Sequence, residues 1–185
     1  MSIESVEIDF RERDLVFVDL ETTGLSFLEH EIIQVGCLVV DGVRFEVKSE
    51  YEAKVKPEHL ERASPKALEI NGFSEEGWRE ALSLKDVLFR VVGIAPGGMI
   101  TGWNVSFDWA FLEKGFREFG IESRFDYHRI DVMSIAYSRL LGKREVLGLG
   151  MRKVASAFGI VLPEEHDAMS DIKATYEIFR KLMVL

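Results

Sequence analysis

Leu15-Val16-Phe17-Val18-Asp19-Leu20-Glu21-Thr22-Thr23-Gly24 is the stretch on which the reading of the whole chain turns. Its first six residues form a β-branched and aromatic run of the length of one buried strand, and Glu21-Thr22-Thr23-Gly24 signals a turn. Asp19 and Glu21 stand two apart at the end of that otherwise apolar run. Side chains at i and i+2 of a strand point to the same face. Two carboxylates side by side repel, and each raises the pKa of the other, so leaving them unpaired at the margin of a core is costly. A divalent cation resolves the conflict. Standing alone, an Asp-x-Glu pair reads more simply as the polar residues of a solvent-facing turn, because the motif is so short.

Working outward, Ile32-Ile33-Gln34-Val35-Gly36-Cys37-Leu38-Val39-Val40 is a second apolar run, closed by the hairpin signal Asp41-Gly42. Arg44-Phe45-Glu46-Val47 alternates polar with apolar and continues through Tyr51 to Pro57, so three consecutive strands are expected, antiparallel across Asp41-Gly42. From Ser64 the period changes. Ser64-Pro65 sets a capping residue before a proline at the first helical position, and that helix should stop near Asn71-Gly72. A second helical stretch is expected from Ser74-Glu75-Glu76-Gly77, with Ala81, Leu82, Leu84, Val87, Leu88, Val91 and Val92 as its apolar stripe. Met99 to Trp103 reads as a buried strand, Ser106 to Phe119 as a helix, and Arg129 to Val132 as a short strand. Helices then follow through Ser134–Leu141, Leu149–Phe158 and Ala168–Leu185. Strands first, then helices interleaved with strands, predict an α/β fold with a mixed sheet, as one domain over residues 1–185.

The 185 residues carry 23 Lys+Arg against 32 Asp+Glu, a net charge of −9, and 47% are hydrophobic. That is too apolar for a disordered chain, and the acidic balance weighs against a long basic surface of the kind that wraps duplex nucleic acid. The single cysteine, Cys37, excludes an intramolecular disulfide framework and a cysteine-rich zinc module. Its apolar surroundings favour a small buried hydrophobe over a reactive thiol. The acidic N-terminus lacks the features of a secretory signal, and no apolar run approaches the roughly 20 residues of a membrane span. The expectation is a cytoplasmic, reduced, soluble protein with no membrane partner.

Two further stretches carry carboxylates at element ends. In Thr101-Gly102-Trp103-Asn104-Val105-Ser106-Phe107-Asp108, a buried strand runs into a helix with Asn104 or Ser106 available as N-cap and Asp108 in the first turn. The helix dipole favours a carboxylate there, so Asp108 alone could be helix chemistry and nothing more. In Glu164-Glu165-His166-Asp167-Ala168-Met169-Ser170-Asp171, five residues at about 100° each would set His166 and Asp171 roughly 140° apart on a helix. His166 therefore belongs to the loop, with Asp167 as N-cap and Asp171 in the first turn. Each signal is weak by itself. Four carboxylates at element ends, with a histidine beside the last, are the parts of a two-metal phosphodiester hydrolase, in which hard oxygen ligands hold Mg²⁺ or Mn²⁺ and the histidine takes a proton from the attacking water.

At this point the sequence resembles the DEDDh branch of the DnaQ-like 3′→5′ exonucleases, which includes bacterial polymerase proofreading domains of the epsilon type. Asp19-Leu20-Glu21-Thr22-Thr23-Gly24-Leu25 is similar to the first motif, Trp103-Asn104-Val105-Ser106-Phe107-Asp108 to the second, and His166-Asp167-Ala168-Met169-Ser170-Asp171 to the third. Lys56-Pro57, Ser64-Pro65 through Asn71-Gly72-Phe73, and Asp131-Val132-Met133-Ser134 match the connecting pattern in order, so the resemblance runs from about Leu15 to Leu182. It implies a ribonuclease-H-like fold: a five-stranded mixed sheet flanked by helices. It also implies two divalent cations, Mg²⁺ or Mn²⁺, bridged by Asp19, with Glu21, Asp108 and Asp171 completing their shells and His166 as general base. Thr22, Thr23 and Gly24 resemble the positions whose backbone meets the 3′-terminal nucleotide, and Leu25 the apolar wedge against its base. Asn104 and Phe107 line the same cleft or, equally, serve as cap and core packing.

Trp103 stands where many proofreading members have histidine, and Leu20 where many have threonine, which leaves DNA and RNA both open as the substrate. The implied partner is the 3′ end of single-stranded or frayed DNA, with short RNA as the alternative. No extra C-terminal segment of the kind that binds a polymerase is expected beyond the last helix, so a DNA polymerase partner stays open but is not supported by the sequence. The competing function is a catalytically silent module that binds nucleic-acid ends or a protein on the same fold. All five catalytic positions being filled argues against it.

Overall fold

The computed structural model describes residues 9–162 and 167–184. The central strand β1 (Leu15–Thr22) pairs antiparallel with β2 (Ile32–Val40) and parallel with β4 (Met99–Gly102), in a five-stranded sheet of order β3-β2-β1-β4-β5. The edge strands are β3 (Val47–Lys54), antiparallel to β2, and β5 (Arg129–Asp131), parallel to β4. The helices are α1 (Pro65–Ile70), α2 (Leu84–Gly93), α3 (Val105–Glu118), α4 (Val132–Leu140), α5 (Met151–Ala157) and α6 (Ala168–Met183). This is the expected five-stranded mixed sheet with helices on both sides.

The period-two alternation of β1 divides the core. Val16, Val18 and Leu20 face a cluster with Val87, Leu88 and Val91 of α2 and Phe111, Leu112 and Phe116 of α3. Leu15 and Phe17 face the opposite cluster, built with Val132 and Ala136 of α4, Val154 and Ala155 of α5, and Ile172, Ile178, Phe179 and Leu182 of α6. By the same parity Asp19 and Glu21 continue the α6 face at the point where the apolar core ends. The strand runs through Thr22, two residues beyond its apolar part, so both carboxylates lie on strand backbone, with the register to β2 shifting only after Glu21. Cys37 is fully buried, and burial pushes its thiol up to about 12, in line with an inert packing role.

Two local expectations are corrected. β2 and β3 pair antiparallel across Asp41-Gly42 as expected, but the third strand starts at Val47 and not at Arg44: the loop runs from Asp41 to Glu46, closed by Asp41 N–H to Glu46 O and by Phe45 N–H to Asp41 O. Phe45, at φ 55°, takes the left-handed position, and Gly42 is required by a close approach, since a Cβ there would lie 2.0 Å from the Arg13 carbonyl oxygen. The helix expected from Ser74 begins only at Leu84, capped by the Ser83 side chain. Leu82 is held by backbone bonds to Lys54 and Lys56 that extend β3, and Trp78 is buried with its indole N–H on the Ile33 carbonyl. Tertiary pairing thus overrides the helical period of this short stretch.

Candidate active site at the end of the central strand

Asp19 lies opposite Gly36 in the β1–β2 register. A Cβ on Gly36 would stand 2.6 Å from Ile172 Cδ1 and 3.2 Å from Ala168 Cβ, so the missing side chain lets the first turns of α6 lie directly on the sheet. Asp167 caps that helix by accepting the Ser170 N–H at 3.0 Å, and Asp171 occupies its first turn, as expected. One oxygen each of Asp19, Glu21 and Asp171 lie within 4.8 Å of one another. Asp108 enters from the first turn of α3, nearly fully buried, and its Oδ1 accepts the Leu20 N–H at 3.0 Å, which ties α3 to β1 between the two strand carboxylates.

No lysine or arginine forms an ion pair with Asp19 or Glu21 among the described residues. Their electrostatics are correspondingly unfavourable. Burial raises the Asp19 carboxyl well above its ordinary value, and the charges of Asp108, Glu21 and Asp171 add to it. Burial, then Asp171 and Asp167, push Glu21 up to about 7. Asp108 is pushed up to about 8 by burial, against the opposing effect of its backbone hydrogen bonds. A cluster of hard oxygen donors, with no lysine or arginine paired to Asp19 or Glu21 among the described residues, fits a divalent ion of the Mg²⁺ or Mn²⁺ kind.

The adjoining loop is organised by its own polar groups. Thr22 Oγ1 donates to the Gly24 carbonyl at 2.8 Å, the Thr22 carbonyl accepts from Asn71 Nδ2, and the Thr23 carbonyl accepts from the Ser64 N–H. Thr23 Oγ1 accepts the Glu31 N–H. Gly24 packs so closely on the His30 ring that a Cβ would fall 2.4 Å from it. These ties leave Thr22 and Thr23 buried and present Leu25 almost fully exposed, at 86%.

Asn104 stands at the N-cap of α3 in the left-handed conformation, φ 58°, but its side chain makes no cap bond and is exposed. Phe107 is half-buried against the α2–α3 core, its ring 5.1 Å from that of Phe111. His166 lies outside the described residues. Among the sequence-derived candidates, the structure therefore unites Asp19, Glu21 and Asp171, with Asp108 joined through the Leu20 amide.

Two supporting residues, Gln34 and Asp131, received no role in the sequence reading. Gln34 donates from Nε2 to Glu52 Oε1 at 2.7 Å and to Asp167 Oδ1 at 3.2 Å, linking β2 and β3 to the cap of α6. The signal available for it was a lone polar side chain inside the apolar run of β2. Asp131 caps α4 through the Ser134 N–H and accepts the Asn104 N–H at 2.9 Å, which anchors the left-handed residue.

A mixed sheet with carboxylates gathered at the end of its central strand defines the ribonuclease-H-like nuclease architecture. The chain belongs to the RNase_T family, described as Exonuclease, which matches residues 16–179. The PolC-type DNA polymerase III of Thermotoga maritima is 27% identical over 94% of this chain, and Protein NEN2 of Arabidopsis thaliana 24% identical over 90%. The chain spans 12% of that polymerase and 34% of NEN2. E. coli exonuclease I in complex with a dT13 oligonucleotide superposes with a TM-score of 0.78 at 22% identity, over 93% of this chain and 41% of exonuclease I. No helix of the described residues is long and apolar enough to cross a membrane.

Proposed function

We propose that the chain is a metal-dependent 3′→5′ exonuclease that releases nucleoside 5′-monophosphates from DNA ends. The observation that carries this reading is the convergence of Asp19, Glu21 and Asp171 oxygens within 4.8 Å, without a pairing lysine or arginine on the two strand carboxylates. Asp19, Glu21, Asp108 and Asp171 would hold two divalent cations, and these would supply the positive charge that stabilises a phosphoryl transition state. The tied loop Thr22-Thr23-Gly24 offers its backbone to the terminal nucleotide, while Leu25 supplies an apolar surface for its base. Asn104 and Phe107 border the same cleft. His166 takes a proton from the water whose oxygen attacks the scissile phosphorus; the bond to the 3′ oxygen breaks, its electron pair stays on that oxygen, and the phosphate leaves with the terminal nucleoside.

DNA is favoured as substrate because the dT13-bound exonuclease I shares the fold and the PolC-type relatives are DNA polymerases. The single domain proposed here covers all 185 residues. The deciding experiment incubates 5′-labelled single-stranded DNA, single-stranded RNA and a recessed duplex with Mg²⁺ and follows the products by electrophoresis. Progressive shortening of labelled DNA with release of 5′-monophosphates is expected, and EDTA should stop it. Immediate release of the labelled 5′ nucleotide, internal cuts, or undiminished cleavage in EDTA would overturn the proposal.

A further inference from the structure

The corner between α4 and α5 reverses the charge of the molecule. Of the fifteen residues from Arg139 to Lys153, five are basic (Arg139, Lys143, Arg144, Arg152, Lys153) and only Glu145 is acidic, a local charge of +4. The remainder of the chain then carries 23 − 5 = 18 basic and 32 − 1 = 31 acidic residues, a charge of −13. Among the described residues, nine of the other 18 arginines and lysines lean on carboxylates, as Arg13 does on Asp126, Lys48 on Asp14 and Lys173 on Glu50. Among the described residues, Arg139, Lys143, Arg144 and Lys153 are exposed and form no ion pair. Concentrating unpaired like charges costs the fold repulsion that a bound polyanion would relieve.

Apolar surface is interleaved with these charges. Tyr137 is 57% exposed and Leu141 67%, one helical turn apart and so on one side of the chain. Together with Lys143, Arg144, Gly148 and Leu149 they border a groove of about 290 Å³. Cations that follow a backbone and an aromatic ring on which bases stack are the two components of single-strand binding, and stacking is tolerant of sequence. The far end of this corner, the start of α5, touches the helix that carries Asp171. The Thr175 hydroxyl donates to Met151 Sδ at 3.2 Å, and Thr175 follows Asp171 by four residues, about 6 Å along the axis of α6.

We propose that the α4–α5 corner holds the single strand upstream of the reacting 3′ terminus, with Lys143, Arg144 and Lys153 on phosphates and Tyr137 and Leu141 against bases. This rests on the exonuclease reading above and adds to it where an unpaired strand is held: the exposed cations Lys143, Arg144 and Lys153 suit several phosphates of a single strand, whereas the acidic excess of the rest of the chain disfavours a long duplex.

The test compares wild type with a Lys143→Ala/Arg144→Ala double variant, both surface positions. Rates are measured on a dinucleotide and on an oligothymidylate of roughly 12 nucleotides. The ratio of kcat/KM on the longer strand to that on the dinucleotide should fall about tenfold in the variant, through KM. In parallel, binding of the labelled longer strand is followed by fluorescence anisotropy in an Asp19→Ala background at increasing salt. Loss of two phosphate contacts should reduce the slope of log affinity on log salt by about 1.4. An unchanged ratio, an unchanged slope, or displacement of the strand by polyglutamate as readily as by oligothymidylate would overturn the proposal, the last by pointing to an acidic protein segment. If wild type cleaves neither substrate, the exonuclease reading fails, while the anisotropy slopes still decide the fate of this surface.

Discussion

Asp19 is the residue on which fold and chemistry meet. The fold buries its carboxyl among Asp108, Glu21 and Asp171, which is unfavourable for the protein without a cation. Asp19→Asn keeps the shape and removes the charge. It should reduce activity at least about 10³-fold, about 4 kcal/mol of transition-state stabilisation, while raising the melting temperature of EDTA-treated protein at pH 8. Turnover close to wild type would dismiss Asp19 as a metal ligand. Glu21 and Asp108 set the pH dependence of that stability. Their folded-state values, about 7 and about 8, lie above the ordinary carboxylate range, so the folded protein binds more protons than the unfolded one between about pH 4 and 8. Stability is therefore fullest below the unfolded values and is lost as pH rises through the folded ones. Carboxylates whose values are lowered, such as Asp41 and Asp126, act only below that window. Calorimetry in EDTA should find a lower melting temperature at pH 8 than at pH 5, recovered by Mg²⁺; a flat or rising trend would contradict it. For His166, Mg²⁺-dependent activity should rise through a pH near 6.5, and the same profile in His166→Ala would remove its assignment as the base.

At the scale of elements, the site depends on how closely α6 approaches the sheet. Gly36 makes that approach, and Ala168 and Ile172 fill the space a side chain would need. Both are buried, so neither yields freely. Gly36→Val should destabilise the protein by about 1–3 kcal/mol through overpacking. It should also weaken Mg²⁺ binding, measured by calorimetric titration, because α6 carries Asp171 away from Asp19. Destabilisation with unaltered Mg²⁺ affinity would show that the site tolerates a shift of the helix. The Gln34–Glu52–Asp167 contacts hold the same helix end from the other side, joining two strands to its cap.

Across the whole molecule, Phe17 shows how the sheet, α6 and the β2–β3 loop hold one another. Its ring meets Tyr176 and Phe179 edge-on, each at 5.6 Å, and Phe179 meets Phe45 in the same way. The Tyr176 hydroxyl closes the circuit on the Phe45 carbonyl at 2.6 Å. Phe17→Ala should cost about 3–5 kcal/mol and lower the melting temperature by about 10 °C in calorimetry. A shift of only a degree or two would mean that the two core clusters melt independently. The charge of −9 acts at this scale too: its distribution is uneven, with Arg139, Lys143, Arg144 and Lys153 exposed at one corner of a chain that is acidic elsewhere.

Much of this was legible in the sequence, because local rules control it. The alternation of Leu15 to Leu20 set a buried strand, the spacing of Asp19 and Glu21 placed both on one face, Ser64-Pro65 and Asn71-Gly72 delimited α1, and Asp167 marked the start of α6. The stretch from Ser74 to Leu82 was misread because its apolar residues suit either a helix or packing against β3, and pairing with Lys54 and Lys56 chose the latter. Sequence by itself determined which elements form and which carboxylates end them, since capping and periodicity act within a few residues. Only the tertiary structure decided that Asp19, Glu21 and Asp171 share one site. Their convergence depends on a glycine in β2 that lets α6 touch the sheet and on an amide of β1 that orients Asp108, contacts between residues far apart in the chain.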